Sequence, residues 1–363
     1  MIAGGPVGIS LLTLVPGLVG GIETYARGLL RTLHGGSGLT YEVLLPTIAP
    51  DAAHGLPARI VRRYGTGRSL ARRMAAMARA AIVPGPLRRE MGLGRLGVIH
   101  FPLNVMLPAV DHPGAVTTVF DAQHELFPAF FSPAERAYRR VVYGWTFRRS
   151  RLVITGSHYV ARVFTERSGL PAGRVRVVPL GIDHERFTPG REAREPFLLY
   201  PAHRWPHKNH GRLFEAFTRV RRRRPELRLV LTGAGHERAR AGPGVEDRGH
   251  VAVDELARLY RTAAALVFPS LYEGFGQPPL EAMACGCPVA ASRAAALPEV
   301  CGDAAAYFDP TSVDEIAETI TRVLDDPGPL VDRGLERARR FTWEACARGH
   351  EAVYRELLSA AGP

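Results

Sequence analysis

The chain has 363 residues, 46% of them hydrophobic and 23% charged, which is enough for two domains that each bury a core. It contains no run of about 18 uncharged apolar residues, so a membrane-spanning helix is not expected. The apolar beginning lacks the basic residues that open a secretory leader, and the four cysteines lack paired CxxC spacing. These observations predict a cytoplasmic protein with reduced thiols and no metal site.

The formal net charge of +12 favours one of three kinds of partner: nucleic acid, an anionic membrane surface or a small phosphorylated ligand. Arginine supplies 46 of the 47 basic residues, and Lys208 is the only lysine. Arginine presents a planar fork, whereas lysine presents a compact ammonium. A single lysine in such a sequence indicates a position where the point charge is needed.

Short apolar runs alternate with amphipathic stretches along the chain, a pattern typical of βαβ units and parallel sheets. A helix is predicted over 22–33, and the predicted strands of the first half are 7–15, 97–100, 115–120, 151–155 and 174–178. Those of the second half are 197–200, 227–232, 265–268 and 288–291. The predicted organisation is an N-terminal Rossmann-like domain, a charged linker, a C-terminal Rossmann-like domain and a last helix that can pack on either domain, over residues 1–182, 183–196, 197–342 and 343–363.

The most specific motif follows the predicted strand at 265–268. Glu273 and Glu281 are eight residues apart, on either side of a glycine-rich turn and the start of a helix. Gly274 and Gly276 allow close approach of a ligand to the backbone, and the helix N-terminus favours an anion. One carboxylate can accept hydrogen bonds from sugar hydroxyls while the other holds a ribose diol. A solvated turn with two exposed glutamates is the simpler interpretation of such a pair taken alone.

The segment from Glu273 to Pro288 resembles the E-x7-E signature of the family 4 retaining glycosyltransferases, which share the GT-B fold. Other segments resemble the remaining motifs of that family in the expected order, at 16–23, 119–125, 201–210, 231–235, 287–289 and 297–300. The resemblance implies an α/β protein with two doubly wound Rossmann-like domains that face each other across a cleft. It also implies that the first domain binds the acceptor and the second the nucleotide sugar.

The resemblance further implies the roles of individual residues in the second domain. Glu273 is expected to hold hydroxyls of the transferred sugar, Glu281 the ribose, and Lys208 with Arg204 the diphosphate. Fixed cations stabilise the charge that develops on a leaving nucleoside diphosphate. The family usually has its arginine five positions before the lysine, where this chain has His203. The other predicted substrate-binding residues here are Gly235, Val251, Leu256, Gly274, Phe275 and Gly276, with the base near Val251.

In the first domain, Gly20 and Gly21 open the first helix, so its positive end can also face the diphosphate. Asp121 and His124 are predicted to orient and polarise the substrates. The family often has histidine directly before the aspartate, and Phe120 occupies that position here. His124 can take over that hydrogen bond, with Asp121 or Glu125 orienting it.

The basic stretch from Arg59 to Arg95 allows three interpretations. Its helix can lie on an anionic membrane, grip an acidic acceptor, or be a solvated helix with an apolar inner face. No recognised module supports nucleic-acid binding. The turn Gly233-x-Gly235 lacks the third glycine of a dinucleotide-binding fingerprint, and no Asp-x-Asp pair is present to hold a metal on a diphosphate.

The sequence therefore predicts a retaining, metal-independent glycosyltransferase without a cofactor. Its donor is expected to be GDP-mannose or a UDP- or dTDP-sugar, and its acceptor a hydroxyl of a glycan, a glycolipid or a small molecule. The segments 205–210 and 121–132 resemble those of bacterial polysaccharide and O-antigen mannosyltransferases. The basic stretch leads us to expect peripheral contact with an anionic membrane, and no nucleic-acid partner is expected. The alternatives are a nucleotide-sugar epimerase of the same fold, an antibiotic or secondary-metabolite tailoring transferase, and a non-enzymatic protein that binds nucleic acid or membranes.

Overall fold

The computed structural model describes residues 5–18, 20–33, 38–234 and 242–360. The chain divides into two units, one formed by Met1–Gly181 with Trp343–Pro363 and the other by Ile182–Thr342. The segment 183–196, predicted from the sequence to be a linker, lies within the second unit. There Phe187 is buried, and its ring meets the Tyr260 ring edge-on at 5.8 Å. Among the described residues, no helix is both long enough and apolar enough to cross a bilayer.

The first unit begins with elements that alternate between strand and helix. They are β1 (Val7–Ser10), α1 (Gly21–Leu33), β2 (Tyr41–Leu45), β3 (Ala58–Ile60), α2 (Leu70–Ile82), α3 (Pro84–Met91), β4 (Val98–Phe101), β5 (Ala115–Thr118), α4 (Gln123–Leu126), α5 (Pro133–Arg149), β6 (Leu152–Thr155), α6 (His158–Arg167) and β7 (Val175–Val177). Single 3-10 turns occur at Leu93–Arg95, Pro128–Phe130 and Ala172–Arg174.

The second unit repeats this alternation. Its elements are β8 (Glu195–Pro201), α7 (His210–Arg221), β9 (Arg228–Thr232), β10 (Val245–Asp247), α8 (Val253–Thr262), β11 (Ala263–Phe268), α9 (Gln277–Ala284), β12 (Val289–Ser292), α10 (Leu297–Cys301), β13 (Ala305–Phe308), α11 (Val313–Asp325) and α12 (Gly328–Ala338), with 3-10 turns at Pro206–Lys208 and Gly302–Ala304. The last helix, α13 (Trp343–Ala360), belongs to the first unit.

In the described part of the chain, each unit has one parallel sheet. The strand order is β3-β2-β1-β4-β5-β6-β7 in the first unit and β10-β9-β8-β11-β12-β13 in the second. In both sheets the first strand of the unit lies inside the sheet, and the chain later crosses to its other side. This is the doubly wound Rossmann order, and it confirms the predicted fold class.

The central strands are buried on both faces, as β1, β4, β5 and β6 show, which explains why they read as continuous apolar runs. The predicted strand at 7–15 is too long, because β1 ends at Ser10 and Leu14 closes a turn onto Leu11. A buried loop and a buried strand are equally apolar, so hydrophobicity alone cannot separate them. Strands β2, β3, β10 and β13 were not predicted.

Helix α13 packs against α1 at a position where only glycine fits. A Cβ atom at Gly28 would lie 2.4 Å from the Trp343 ring, so the close approach requires the absence of a side chain. On α13 itself, a Cβ atom at Gly349 would lie 2.6 Å from Val178. The four cysteines are buried and form no disulfide.

A buried polar network joins α13 to the sheet of the first unit. Tyr25 Oη lies 2.7 Å from His350 Nε2 and 3.0 Å from Thr118 Oγ1, and His350 Nδ1 lies 2.9 Å from the Cys346 carbonyl oxygen. A carbonyl can only accept, so His350 Nδ1 carries the proton and Nε2 accepts from Tyr25. Thr118 must then donate to the Tyr25 oxygen.

The network continues through a second histidine. His100 Nε2 lies 2.7 Å from Thr118 Oγ1, and Tyr354 Oη lies 2.8 Å from His100 Nδ1. Because the Thr118 hydroxyl already donates, His100 donates to it and accepts from Tyr354. For neutral histidines, every proton position in the network therefore follows from one carbonyl. Burial lowers the pKa of His350 to about 4 and that of His100 well below its usual range.

Candidate functional site

The loops that leave β8 and β11 lie side by side at the carboxyl edge of the second sheet. Strand β8 pairs with β9 on one side and with β11 on the other, so this is the point where the strand order reverses. Doubly wound sheets bind ligands at such a switch point. The two loops, 202–209 and 269–276, contain both the only lysine and the first glutamate of the motif.

Lys208 and Glu273 form a close ion pair between these loops. Lys208 Nζ lies 2.6 Å from Glu273 Oε1, and each side chain is only 13% exposed. The ammonium also lies 5.4 Å from the centroid of the Phe268 ring. Tyr200 Oη donates to the Lys208 carbonyl at 2.6 Å, which fixes the backbone that carries the cation. A charge held this way at low exposure acts more strongly than one in water.

Asn209 holds the two loops together, and sequence reasoning did not identify it. Its φ of 60° lies in the left-handed region, which asparagine tolerates better than most residues. Its Nδ2 donates to the carbonyl oxygens of Pro269 at 3.1 Å and Pro310 at 2.7 Å. The residue is buried. An asparagine directly before a helix was the only sequence signal for this role.

The glycine turn leads into α9 with few backbone donors. Gly276 has a φ of 113°, and a Cβ atom there would lie 2.7 Å from Leu297. Pro278 and Pro279 have no N–H group, so the donors that can meet an anion are those up to Gln277. The Phe275 side chain is buried and packs edge-on against Phe341 at 5.8 Å. Only its backbone is therefore available to a ligand.

Glu281 lies on α9 and is held by a buried tyrosine. Tyr260 Oη donates to Glu281 Oε2 at 3.0 Å, and Tyr260 itself is fully buried. Burial raises the pKa of Glu281 to about 7; the Tyr260 hydrogen bond lowers it and the charge of Asp183 raises it. Tyr260 was not predicted from the sequence, since it is 21 residues away from its partner.

Arg204 and His203 differ in how they are held. The Arg204 side chain is exposed, and its backbone N–H donates to the Ala234 carbonyl at 3.1 Å. His203 Nδ1 accepts from the Ala234 N–H at 3.0 Å, and its ring stacks on Trp205 at 5.3 Å. The histidine therefore ties this loop to the one after β9, while the Arg204 guanidinium stays at the surface.

The residues predicted to lie near the base are only partly described. Val251 and Leu256 are half-buried at the start of α8, where the Leu256 N–H donates to the Ala252 carbonyl at 2.9 Å. The Gly233 N–H donates to the Gly249 carbonyl at 2.7 Å and brings the two loops together. Gly235 lies outside the described residues.

The predicted residues of the first unit lie at two separate places, around the start of α1 and around the start of α4. Gly20 has a φ of 55° and directly precedes Gly21, the first residue of α1. The Gly17 N–H donates to Glu23 Oε2 at 2.8 Å, so a side chain of the helix closes this glycine loop. A Cβ atom at Gly20 would meet nothing within 4 Å, so the backbone angle, and not crowding, favours glycine there.

In the described structure, Asp121 and His124 are not hydrogen-bonded to each other. Asp121 Oδ2 lies 3.0 Å from Arg139 Nη1, and Oδ1 accepts from the Gln123 N–H at 2.7 Å. The His124 side chain is only 5% exposed, its ring lies 4.7 Å from that of Tyr143, and in the described structure neither ring nitrogen is hydrogen-bonded. Burial lowers its pKa, so it is neutral at pH 7. Arg139 is the partner of Asp121 that the sequence did not reveal.

Comparison with known proteins places these loops in a family. Residues 181–342 match the model of the glycosyl transferases group 1, and residues 19–186 match that of glycosyltransferase family 4. The chain is 30% identical over 272 residues to the O-antigen chain mannosyltransferase B of Escherichia coli, which covers 67% of this chain and 70% of that protein. The chain belongs to glycosyltransferase family 4.

The chain is also similar to the MMP alpha-(1->4)-mannosyltransferase of Mycolicibacterium hassiacum, at 37% identity over 203 residues. That match covers 51% of this chain and about half, 49%, of the relative. Among solved structures, sucrose-phosphate synthase from Thermosynechococcus elongatus superposes with a TM-score of 0.76 at 22% identity and covers 98% of this chain and 100% of its own. Anabaena HepE, solved with UDP and glucose, has a TM-score of 0.72 at 17% identity, with 97% and 100% covered. These likenesses confirm the GT-B fold.

Proposed function

We propose that this transferase moves a sugar, with retention and without a metal ion, from a nucleoside-diphosphate sugar to a hydroxyl of a glycan, glycolipid or small molecule. The observation that carries the proposal is the Lys208–Glu273 pair, 2.6 Å apart at the switch point of the second sheet. The second unit takes the donor and the first unit the acceptor. The mannosyltransferase relatives favour a mannosyl donor such as GDP-mannose, with UDP- and dTDP-sugars as the alternatives.

In the proposed reaction the bond between the anomeric carbon and the donor phosphate oxygen breaks. The acceptor oxygen bonds to the same carbon on the same face, and its proton passes to the departing phosphate oxygen. Lys208, with Arg204, stabilises the charge on the leaving diphosphate. Glu273, whose charge Lys208 balances, accepts hydrogen bonds from the transferred sugar. Asp121 orients the acceptor side and is itself oriented by Arg139.

His124 has a narrower role in this proposal than a hydrogen bond to the sugar. Its ring is buried against Tyr143, so it supports the loop that carries Asp121. Gly20 and Gly21 present the start of α1 to the diphosphate. Val251 and Leu256 border the base.

The thermal midpoint of unfolding tests the donor. A nucleotide at about 100 times its Kd adds about 2.7 kcal/mol to the free energy of unfolding, a shift of roughly 5–10 °C for a unit of this size. We expect GDP or GDP-mannose to raise the midpoint more than UDP or dTDP, and EDTA to change nothing. ADP serves as the control nucleotide. No shift with any of these nucleotides at millimolar concentration would contradict the proposal.

The affinity for the donor is expected to depend on pH through Glu281. Its pKa is raised to about 7, and the ionised carboxylate accepts hydrogen bonds from both ribose hydroxyls. Raising the pH from 6 to 8 increases the ionised fraction about tenfold, so the donor KM should fall by up to about tenfold. Steady-state kinetics across this range measure the change.

Two variants separate Glu281 from other titrating groups. Glu281→Gln should remove the pH dependence of the donor KM. Tyr260→Phe removes the hydrogen bond that lowers the Glu281 pKa, so the profile should move to higher pH. Tyr307→Phe is the matched control, because its hydroxyl donates to the Gly302 carbonyl outside the site. An unchanged profile in Tyr260→Phe would contradict the assignment.

The proposal also gives the transferase a peripheral contact with an anionic membrane and no nucleic-acid partner. Between residues 59 and 95 the sequence has ten arginines and a single acidic residue, Glu90. Segments of this kind are attracted to anionic lipid.

A further inference from the structure

Helix α2 has a second apolar face that points away from the core. Its inner face packs through Ala76 and Ala80, which are buried in the core of the first unit. On the other side, Leu70, Met74 and Ile82 are 64%, 46% and 79% exposed. Together with the exposed Ala78, these residues repeat every four positions and therefore line one side of the helix. We call Leu70, Met74, Ala78 and Ile82 the outer stripe.

Helix α5 lies next to α2 and also exposes apolar side chains. Tyr138 Oη lies 3.9 Å from the Met77 sulfur, which places α5 next to α2. Tyr138 and Val141 of α5 are 39% and 63% exposed. Val83, at the end of α2, is 55% exposed. Exposed apolar side chains that cluster on neighbouring helices of a folded protein indicate an interaction surface.

Arginines border the outer stripe on both helices. Arg68, Arg72 and Arg79 lie at or on α2 and are exposed, and within the described chain none of them forms an ion pair. On α5 the exposed arginines are Arg136, Arg140 and Arg148. The acidic residues of α2, α3 and α5 are Glu90 and Glu135 alone. Glu90 accepts from the backbone N–H groups of residues 62 and 63, and Glu135 caps α5.

We propose that the outer stripe and its bordering arginines bind the transferase to the surface of an anionic lipid bilayer. A helix with exposed aliphatic side chains and flanking arginines lies in the interface, with the aliphatic groups among the acyl chains and the guanidinium groups on the phosphates. Nucleic acid would use the arginines but would leave Leu70, Met74 and Ile82 in water. An acidic protein would need a complementary apolar groove. The surface therefore fits lipid best.

This inference deepens the membrane part of the proposed function and does not depend on the donor. The test is cosedimentation of the full chain with vesicles of 30% phosphatidylglycerol in phosphatidylcholine at 150 mM NaCl. We expect binding that is at least tenfold tighter than to pure phosphatidylcholine and that weakens as salt rises. Met74→Gln with Ile82→Gln should weaken it at least tenfold, as should Arg72→Glu with Arg79→Glu.

The matched control exchanges Arg333→Glu with Arg339→Glu, two exposed arginines at α12 of the second unit; it should bind vesicles like the wild type. Donor-induced thermal shifts should be the same in all of these variants, so loss of vesicle binding is separable from failure of the proposed function. Absence of binding to the anionic vesicles, or binding that the outer-stripe variant retains in full, would overturn the proposal. Equal affinity for duplex DNA that is insensitive to the Met74 and Ile82 changes would do so too.

Discussion

Glu273→Gln is expected to lower kcat by about two to three orders of magnitude while the nucleotide still binds. The change keeps the shape of the side chain but removes the charge that faces Lys208 at 2.6 Å. A glutamine accepts weaker hydrogen bonds from sugar hydroxyls, and it leaves a cation of 13% exposure without its partner. Loss of one group that stabilises the transition state typically costs this much in kcat.

The measurement separates chemistry from binding. Steady-state kinetics give kcat, and the thermal midpoint with nucleoside diphosphate reports binding that does not involve the sugar. Glu318→Gln on α11 is the matched control, since Glu318 is exposed in the same unit. Lys208→Met should also lose most of the nucleotide-induced shift, because its ammonium faces the diphosphate in the proposed complex. A Glu273→Gln variant of wild-type activity would refute the role assigned to the pair.

The second large effect concerns stability in mild acid. His350 has a pKa lowered to about 4 in the folded chain, against about 6.5 when unfolded. Above pH 6.5 both states are neutral; as the pH falls from 6.5 to about 4, only the unfolded state gains the proton. The free energy of unfolding therefore falls by roughly 3 kcal/mol over this window from His350 alone. His100 is shifted in the same direction and adds to the loss.

Protonation of His350 also disrupts the sequence of donors and acceptors in the buried network. A charged His350 would donate from Nε2 to Tyr25, whose own hydroxyl proton then loses its acceptor. Urea unfolding at pH 7.5, 6.0 and 5.0 measures the effect. His350→Gln should be less stable at pH 7.5 but lose clearly less on acidification, whereas His158→Gln, an exposed position on α6, should behave like the wild type. If His350→Gln lost as much unfolding free energy on acidification as the wild type, the network would not be the cause of the acid sensitivity.

Much of the fold followed from local patterns in the sequence. The alternation of apolar runs with amphipathic helices predicted two doubly wound domains, because each βαβ unit buries its strand on both faces. The spacing of Glu273 and Glu281 with the glycines between them, and the single Lys208, pointed to the loops that the structure brings together. Two of the four missed strands, β3 and β10, are short and only partly buried, so they lack a continuous apolar run.

The site details came only from contacts between distant residues. Tyr260 orients Glu281, and Arg139 binds Asp121, over 21 and 18 positions. The position of α13 depends on a contact between Tyr25 and His350, 325 positions apart. The local sequence pattern around one residue of such a contact does not predict its distant partner.

The sequence by itself determined the fold class, the family and the residues of the central motif. Strand burial, glycine turns and charged motifs are each encoded by residues that are close together in the sequence. Tertiary structure alone decided which unit α13 belongs to, which protons the buried histidines hold, and that α2 keeps an apolar stripe in water. The physical reason is that an apolar helix face has the same sequence pattern whether it is packed against another element or exposed to solvent. Only packing with elements far away in the chain decides which.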